Sequence, residues 1–220
     1  MHTCIVNNKK YIGITCQEPY YKRFNGNGSG YKTSARFWNA IQKYGWDKFE
    51  HTILAEGVEK IDPCAFDNET GFIPDYWRSR FTEIVIPNSV KEIGKRAFNK
   101  CDKLQKVTLS SNLKSIGDSA FRKTGISEVI IPNSVETIGS VAFFECKNLK
   151  KIQLSQNLTQ LGRQAFCRCD IREIDIPSSL SQIPFEAFRD NQNTDKITLH
   201  NGLEYIGERA FSYCYGITLT

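Results

Sequence analysis

Apolar residues recur along this chain at fixed distances from a repeated Ala-Phe pair. The last six of the seven pairs are spaced 23, 22, 23, 22 and 23 residues apart. Counted back from each of these six phenylalanines, apolar residues return at positions −5, −8, −12 and −14, and at −17 in all but the last repeat. This period predicts a solenoid of about seven turns, each adding one short strand to a shared sheet. The seven phenylalanines are Phe66, Phe98, Phe121, Phe143, Phe166, Phe188 and Phe211.

The same positions form the L-x-x-L-x-L core of a leucine-rich repeat. The segment from Ile86 to Phe98 and its echo from Ile131 to Phe143 resemble BspA-type leucine-rich repeats, and the resemblance covers residues 57–220. It implies a leucine-rich repeat solenoid whose surfaces bind proteins, in a family that is often extracellular. It also implies that the repeats have no catalytic residues of their own.

Turns built on Ile-Pro alternate with turns built on Leu-Ser or Leu-His, so the repeating unit is a pair of turns of about 45 residues. Acidic and basic residues also alternate at position −15, which predicts a ladder of opposite charges on the outer face of the sheet. These residues are Glu83, Lys106, Glu128, Lys151, Glu173 and Lys196. Position −13 lies on the same face and varies, and we predict that it forms the protein-binding surface. Its members are Val85, Thr108, Ile130, Gln153, Asp175 and Thr198.

Four of the eight cysteines follow a repeat phenylalanine by three residues: Cys101, Cys146, Cys169 and Cys214. A cysteine that recurs with the repeat predicts a ladder of small structural thiols at one corner of the solenoid. The Cys167-x-Cys169 pair has no second pair at ligand spacing and no nearby histidine, which argues against a metal site.

Composition is that of an ordinary globular protein, with 40% hydrophobic and 24% charged residues. No apolar run reaches the roughly 20 residues that a membrane span requires. The first ten residues lack a long apolar stretch behind a basic start, so we expect a cytoplasmic protein with no membrane partner.

The first 56 residues have a different character from the repeats. They hold eight Lys or Arg and four acidic residues, which gives +4 of the total formal charge of +5, and this basic bias is compatible with DNA binding. Residues 10–15 are predicted to form a strand, residues 35–44 a helix ending before Gly45, and residues 49–54 a second strand.

Here the residues resemble a GIY-YIG nuclease domain over 1–56, in the runs 7–15, 22–24 and 37–54. The resemblance implies a small α/β domain, so the whole chain is predicted to be α/β and β-rich, with the solenoid over 57–220. It implies that Tyr11 and Arg23 act in metal-dependent hydrolysis of DNA. The metal would be Mg²⁺ or Mn²⁺, held by a glutamate for which Glu69 is the candidate.

Two parts of the nuclease pattern are absent from this sequence. The segment before Tyr11 resembles the loop after the first motif, so the first tyrosine is missing, and no helix for a metal-binding glutamate follows residue 54. The domain is therefore predicted to be incomplete. Two functions follow: a non-catalytic interaction scaffold without cofactors, in which the domain is a degenerate cap, or an endonuclease that the repeats target to a partner.

Two segments break the repeat. The interval from Phe66 to Phe98 is 32 residues, and its excess carries Tyr76 and Trp77, which would anchor a partner or fold back onto the first turns. After Phe211, Ile217 and Leu219 stand at strand positions with no polar cap behind them. This predicts an exposed sheet edge through which the chain self-associates.

Overall fold

The computed structural model describes residues 59–68 and 82–215, and the backbone of the strands His2–Val6, Lys9–Gly13 and Thr218–Leu219. Strands β1 (His2–Val6) and β2 (Lys9–Gly13) form an antiparallel hairpin in which Tyr11 lies opposite Cys4. The strand predicted at residues 10–15 is therefore observed in part, as β2. The prediction of a loop before Tyr11 is wrong for residues 2–6, because this segment pairs with β2 along its whole length.

The repeats form a parallel sheet on one side of the solenoid, which we call the long-strand sheet. Its seven strands lie in chain order, each bonded to the strand one turn away. In the first six strands position −14 points into the core, as the apolar pattern predicts. The strands are β4 (Glu83–Val85), β6 (Lys106–Thr108), β8 (Glu128–Ile130), β10 (Lys151–Gln153), β12 (Glu173–Ile176), β14 (Lys196–Leu199) and β16 (Thr218–Leu219).

Each turn contains a second strand, so the prediction of one strand per turn is wrong. These strands have two residues each, too short for an alternating pattern to reveal them. These short strands pair in parallel with those of the neighbouring turns. In each strand the apolar residue at −5 faces the core, and where position −4 is glycine its backbone amide donates a hydrogen bond to the preceding turn. The Gly139 amide, for example, donates to the Ile116 carbonyl at 2.8 Å. The short strands are β3 (Lys60–Ile61), β5 (Glu92–Ile93), β7 (Ser115–Ile116), β9 (Thr137–Ile138), β11 (Gln160–Leu161), β13 (Gln182–Ile183) and β15 (Tyr205–Ile206).

Position −4 needs glycine because the neighbouring turn lies against it. A Cβ on Gly162 would come within 2.3 Å of the Gly139 carbonyl carbon. In the Phe188 turn this position is Pro184, which has no amide hydrogen to donate. The two-residue strands β3 to β15 line a second side of the solenoid, which we call the short-strand side. Their sheet is divided at the Phe188 turn, into a five-stranded part that ends at β11 and a separate pair formed by β13 and β15.

The Ala-Phe pairs form a third side of the solenoid, the Phe corner, which comprises the residues from −4 to +3 of each phenylalanine. The seven phenylalanine rings stack with centroids 4.9 to 5.5 Å apart and nearly parallel planes. The backbone is also paired between turns, as from Val141 to the Arg163 carbonyl at 2.9 Å and from Phe143 to the Ala165 carbonyl at 2.8 Å. The corner is thus a hydrogen-bonded ladder, although it contains no strand.

Left-handed backbone makes this corner possible. The residues two positions before and two positions after the phenylalanines have positive φ, for example Val141 at 51° and Glu145 at 58°. Each of these residues lies in a tight backbone turn that is closed by a hydrogen bond between residues i and i+3. One such bond runs from the Cys146 amide to the Phe143 carbonyl. Residues other than glycine rarely adopt this conformation, and β-branched ones least of all. The packed phenylalanine stack must therefore offset a local strain in every turn.

Most of the predicted core positions are buried, and they belong to one cluster that runs through the turns from Ile61 to Ala210. Ile152, Leu161, Leu199 and Leu203 are partly buried against this cluster, and Ile206 in the last described turn is exposed. Five complete turns lie between Phe98 and Phe211.

Hydrogen bonds join an Ile-Pro turn to the Leu-Ser turn that follows it, which accounts for their alternation. Asn133 Oδ1 accepts from the Gln156 amide at 3.0 Å, and Asn157 Nδ2 donates to the Asn133 carbonyl at 2.8 Å. Asn88 and Asn112 repeat this exchange one pair earlier.

No helix occurs in the part of the chain that the structure describes. The helix predicted over residues 35–44, the second strand over 49–54 and the boundary at residue 56 lie outside the described residues. They stay predictions.

Candidate recognition surface

The outward positions of the long-strand sheet carry the predicted binding residues side by side. The register pairs Val85 with Thr108, Gln153 with Ile130 and Asp175 with Thr198, so position −13 forms one column across the turns. Thr198 is half-buried and the other five are exposed. Ile130 is the most exposed aliphatic residue of the column, at 64% of its full accessible area. The pattern therefore brings these six residues onto one surface, as predicted.

The charge ladder at −15 also lies in register, with Glu83 opposite Lys106 and Glu173 opposite Lys196. All six members of the ladder are exposed. No salt bridge joins members of the ladder within the described residues, so their heads remain solvated beside the −13 column. Exposed pairs of this kind contribute about 0–1 kcal/mol each. The ladder therefore gives the surface an alternating, neutral character.

A histidine that the sequence pattern did not single out completes this surface. His200 Nε2 lies 2.7 Å from Asp175 Oδ1, and both side chains are exposed. His200 occupies the place of Ser110 and Ser155 in the equivalent turns. The Leu-His variant of the turn was the available signal, but the 25-residue separation gave no reason to pair it with Asp175.

Several predicted site residues lie outside the described residues: Arg23, Glu69, Tyr76 and Trp77. Tyr11 lies on β2, where only the backbone is described. The assignment of Tyr11, Arg23 and Glu69 therefore stays a prediction. In the described part of the chain, no three His, Cys, Asp or Glu residues are grouped to hold a metal ion.

The cysteine ladder is confirmed, and all four of its cysteines are buried. Each thiol donates to the carbonyl of the phenylalanine one turn earlier, as from Cys146 Sγ to Phe121 O at 3.0 Å. Burial raises the pKa of Cys146 to about 11, so the thiol keeps its proton at neutral pH and acts as a donor. Asn191 fills the same position in its turn and bonds the Phe166 carbonyl at 2.9 Å. The equivalent thiols are Cys101, Cys169 and Cys214.

The Phe corner holds a network of charges that the sequence pattern did not predict. Glu186 accepts from Gln164 Nε2 at 2.6 Å and from Arg189 Nη1 at 2.8 Å. Burial opposes ionisation, but these donors hold the pKa of Glu186 below its usual value. Glu145 is likewise bonded by Lys123 and Arg168, and its pKa is lowered although burial opposes this. Glu145 and Glu186 are therefore ionised at neutral pH.

These features define a class of protein: a parallel β-solenoid with an aliphatic core, a stack of phenylalanine rings and a variable strand face. The family profile described as "BspA type Leucine rich repeat region (6 copies)" matches residues 75–193 and 115–220. The chain belongs to this family. No curated protein matches it. No helix in the described residues is both long and apolar enough to cross a membrane.

One solved structure shows the same fold. The chain is 21% identical to the T. pallidum leucine rich repeat protein TpLRR, with a TM-score of 0.64 over 77% of this chain and 79% of that one, and at this identity the likeness shows the fold alone. The chain also matches a leucine rich cell surface protein from Faecalibacterium prausnitzii A2-165 at 17% identity, with a TM-score of 0.35 over 77% and 87% of the two chains. For the pneumococcal vaccine antigen PcpA the identity is 21% and the TM-score 0.39, over 77% and 56%.

Proposed function

We propose that this chain is a protein-interaction scaffold and that it recognises its partner through the −13 column of the long-strand sheet. The single observation that carries the proposal is the column itself. Its residues lie on a parallel sheet whose register pairs each of them with one neighbour, while their side chains vary and all but Thr198 are exposed. A rigid surface loses little conformational entropy on binding, so variable side chains on it can give specificity.

Ile130 is the centre of this proposal. Its two neighbours in the column, Thr108 and Gln153, are polar, so Ile130 is an apolar point on a hydrophilic face. An apolar side chain surrounded by polar contacts is typical of an energetic centre in a protein interface. A partner with a shallow apolar depression would bury it.

The test uses a photo-reactive amino acid placed at Ile130 and, as a matched control, at Gln160 on the short-strand side. Irradiation in an extract of the source cells, followed by mass spectrometry, should give a protein cross-linked from position 130 alone. The purified partner should then bind Ile130→Glu about tenfold more weakly than wild type, with Gln160→Glu unchanged. Equal weakening by both variants, or no cross-link specific to position 130, would contradict the strand-face proposal.

Self-association through the C-terminal side of the solenoid is a further part of the proposal. Ile206 is 48% exposed on β15, the last described strand of the short-strand side, whereas the equivalent Ile183 is buried. An unpaired apolar strand edge favours pairing with another copy. Sedimentation across the micromolar range should show a concentration-dependent dimer that Ile206→Lys abolishes. A monomer at every concentration would contradict this part.

A second candidate function is a metal-dependent DNA endonuclease with the repeats as its targeting arm. The β1–β2 hairpin favours it, because Tyr11 lies on a strand as the GIY-YIG resemblance requires. In this function the basic N-terminal domain would bind DNA with Mg²⁺ or Mn²⁺, whereas in the preferred function it is a degenerate cap that needs no cofactor.

Nicking of supercoiled plasmid with Mg²⁺ or Mn²⁺ distinguishes the two. Cleavage that is lost in both Arg23→Ala and Tyr11→Phe would establish the nuclease, and Glu69→Gln would then test the metal ligand. We expect no cleavage by the folded protein. That result would leave the scaffold function, which the cross-linking experiment tests independently.

A further inference from the structure

Ion pairs at the Phe corner are asymmetric: the carboxylates lie inside and the cations outside. The Glu145 side chain is 17% exposed, whereas that of its partner Arg168 is 51% exposed. Glu186 is nearly inaccessible, while Arg189 and Arg209 beside it reach solvent. At these two carboxylates the corner presents guanidinium and ammonium groups to solvent and keeps the balancing charge beneath them, whereas Asp118 and Glu208 are exposed.

Ion pairs on the short-strand side differ. Lys114 and Glu136 are joined at 2.9 Å, with side chains 57% and 55% exposed, so both charges face solvent equally. Lys91 and Glu59 form a second pair of the same kind. Such a surface has no preferred sign. The charge bias is thus a property of the corner and not of the solenoid as a whole.

Aromatic rings fix the cations of the corner in place. Phe144 has the Arg122 guanidinium 5.8 Å from its centroid on the preceding turn and that of Arg168 at 5.7 Å on the following turn. Arg163 lies 4.7 Å from the centroid of Phe185. Cation–π contacts help to hold these guanidinium groups. Arg168 also donates to Glu145 and Arg122 to Asn99, so only their remaining N–H groups are available to a partner. Held arginines lose less entropy on binding than free ones.

The net charge of the middle three corner segments is also positive. The corner segments 117–124, 139–146 and 162–169 contain four cations and two carboxylates. One of these carboxylates, Asp118, accepts from the Ser140 amide at 2.8 Å, and the other is Glu145 beneath Arg168. The three turns therefore present a ridge of positive charge with rings between the cations.

We propose that this ridge, centred on Arg122, Phe144, Arg163 and Arg168, is a second interaction surface that binds an acidic, extended segment of a partner protein. Carboxylates accept bidentate hydrogen bonds from arginine, and arginines beside aromatic rings are favoured at interface centres. Single-stranded nucleic acid fits less well, since the Phe144 ring already has a guanidinium from each neighbouring turn and would not be free to stack on a base. This surface does not depend on the strand-face proposal.

Fluorescence anisotropy with a labelled oligo-glutamate peptide tests the inference at low salt, where exposed charges are weakly screened. An oligo-glutamine of the same length and a single-stranded oligonucleotide of equal charge are the comparison probes. The variant is Arg122→Gln with Arg168→Gln. Its matched control is Lys91→Gln with Lys114→Gln, which removes the same charge from the short-strand side.

Oligo-glutamate should bind the wild-type chain and oligo-glutamine should not. The arginine variant should lose affinity about tenfold, as expected for two charge-assisted contacts, while the lysine control should change less than about twofold. If the arginine double variant does not melt like wild type, two other measurements replace it. One is the binding of oligo-glutamate to Arg163→Gln, a single substitution at an exposed position. The other is amide hydrogen exchange of the wild-type chain with and without the peptide. Bound peptide should then protect residues 117–124 and 162–169 selectively.

If the arginine and lysine variants lost equal affinity for oligo-glutamate, binding would depend only on the net charge of the chain, and the inference would be overturned. The absence of any oligo-glutamate binding, or protection outside the corner, would also overturn it. Tighter binding of the oligonucleotide, sensitive to the arginine variant, would overturn it by making the ridge a nucleic-acid surface.

Discussion

The Phe corner and the long-strand face are two sides of one solenoid under different constraints. At the corner the same residue types return in turn after turn, with Ala and Phe buried and most often a cysteine donor at +3. On the strand face the −13 column changes from Val85 to Ile130 to Asp175, while every long strand stays in the same parallel sheet. Internal repetition therefore separates positions that hold the turns together from positions free to carry specificity.

The physical difference lies in how many backbone and side-chain groups of each side are in contact with other turns. At the corner, backbone bonds between turns, thiol donors and stacked rings use nearly every group, as at Phe143, whose ring, amide and carbonyl all contact other turns. On the strand face the backbone is paired but the outward side chains contact mainly water. Substitutions should therefore be costly at the corner and nearly neutral for folding on the face.

The largest effect is expected in the centre of the ring stack. Phe143→Ala should lower the free energy of unfolding by about 3–5 kcal/mol, because it removes a fully buried ring and leaves a cavity between two neighbours. Phe144→Ala is the matched control on the next residue, whose ring is half-exposed, and should cost about 1 kcal/mol. Urea unfolding measures both. Similar losses at the two positions would contradict the assignment of stability to the stack.

A smaller loss is expected where turns touch through their backbones. Gly162→Ala places a methyl group within 2.2 Å of the Ser140 amide nitrogen, so the turns must separate. We expect a loss of about 1–3 kcal/mol, as for overpacking in a core. Gln160→Ala, an exposed position on the same short strand, should stay within about 0.5 kcal/mol. Thermal unfolding of the two variants would contradict the close approach if the glycine proved as tolerant as the glutamine.

Apolar spacing was enough to predict the solenoid, the buried positions and the outward column, because each depends on a side chain facing in or out. The second strand of each turn was missed, since two residues such as Thr137 and Ile138 give no period. The left-handed corner was missed because Val141 and Arg96 are residues that ordinarily avoid positive φ. The division of the short-strand sheet was readable at Pro184, which interrupts a run of glycines.

The candidate surfaces were predicted unequally for a related reason. Exposure of Ile130 follows from strand alternation, so the −13 column could be predicted. The burial of Glu145 and Glu186 depends on turns 22–23 residues away closing over them, and no local pattern carries that information. Charge in a sequence can be counted, but which member of an ion pair faces water is decided by packing.

A pH titration would sharpen the comparison between the inner charges of the corner and the solvated charges of the face. The pKa of Glu186 lies below its ordinary value of 4.5 because its hydrogen bonds outweigh burial. Its contribution to stability is complete above that ordinary value and is lost as the pH falls through the lower, folded pKa. Glu186→Gln should therefore flatten the fall of the melting temperature below about pH 4.5. A melting temperature that falls as steeply in Glu186→Gln as in wild type would contradict this role of the corner carboxylate.

The smallest effect on stability is expected at the most exposed aliphatic residue of the strand face. Ile130→Thr keeps a β-branched residue in the strand and removes apolar area that is already in water, so unfolding should change by at most about 0.5 kcal/mol. The buried neighbour Val129→Thr is the matched control, and it should cost at least about 1 kcal/mol because its hydroxyl would enter the core. Urea unfolding compares the two. If Ile130→Thr destabilised the solenoid as much as Val129→Thr, the face would be part of the structural framework and would not be free to serve as a recognition surface.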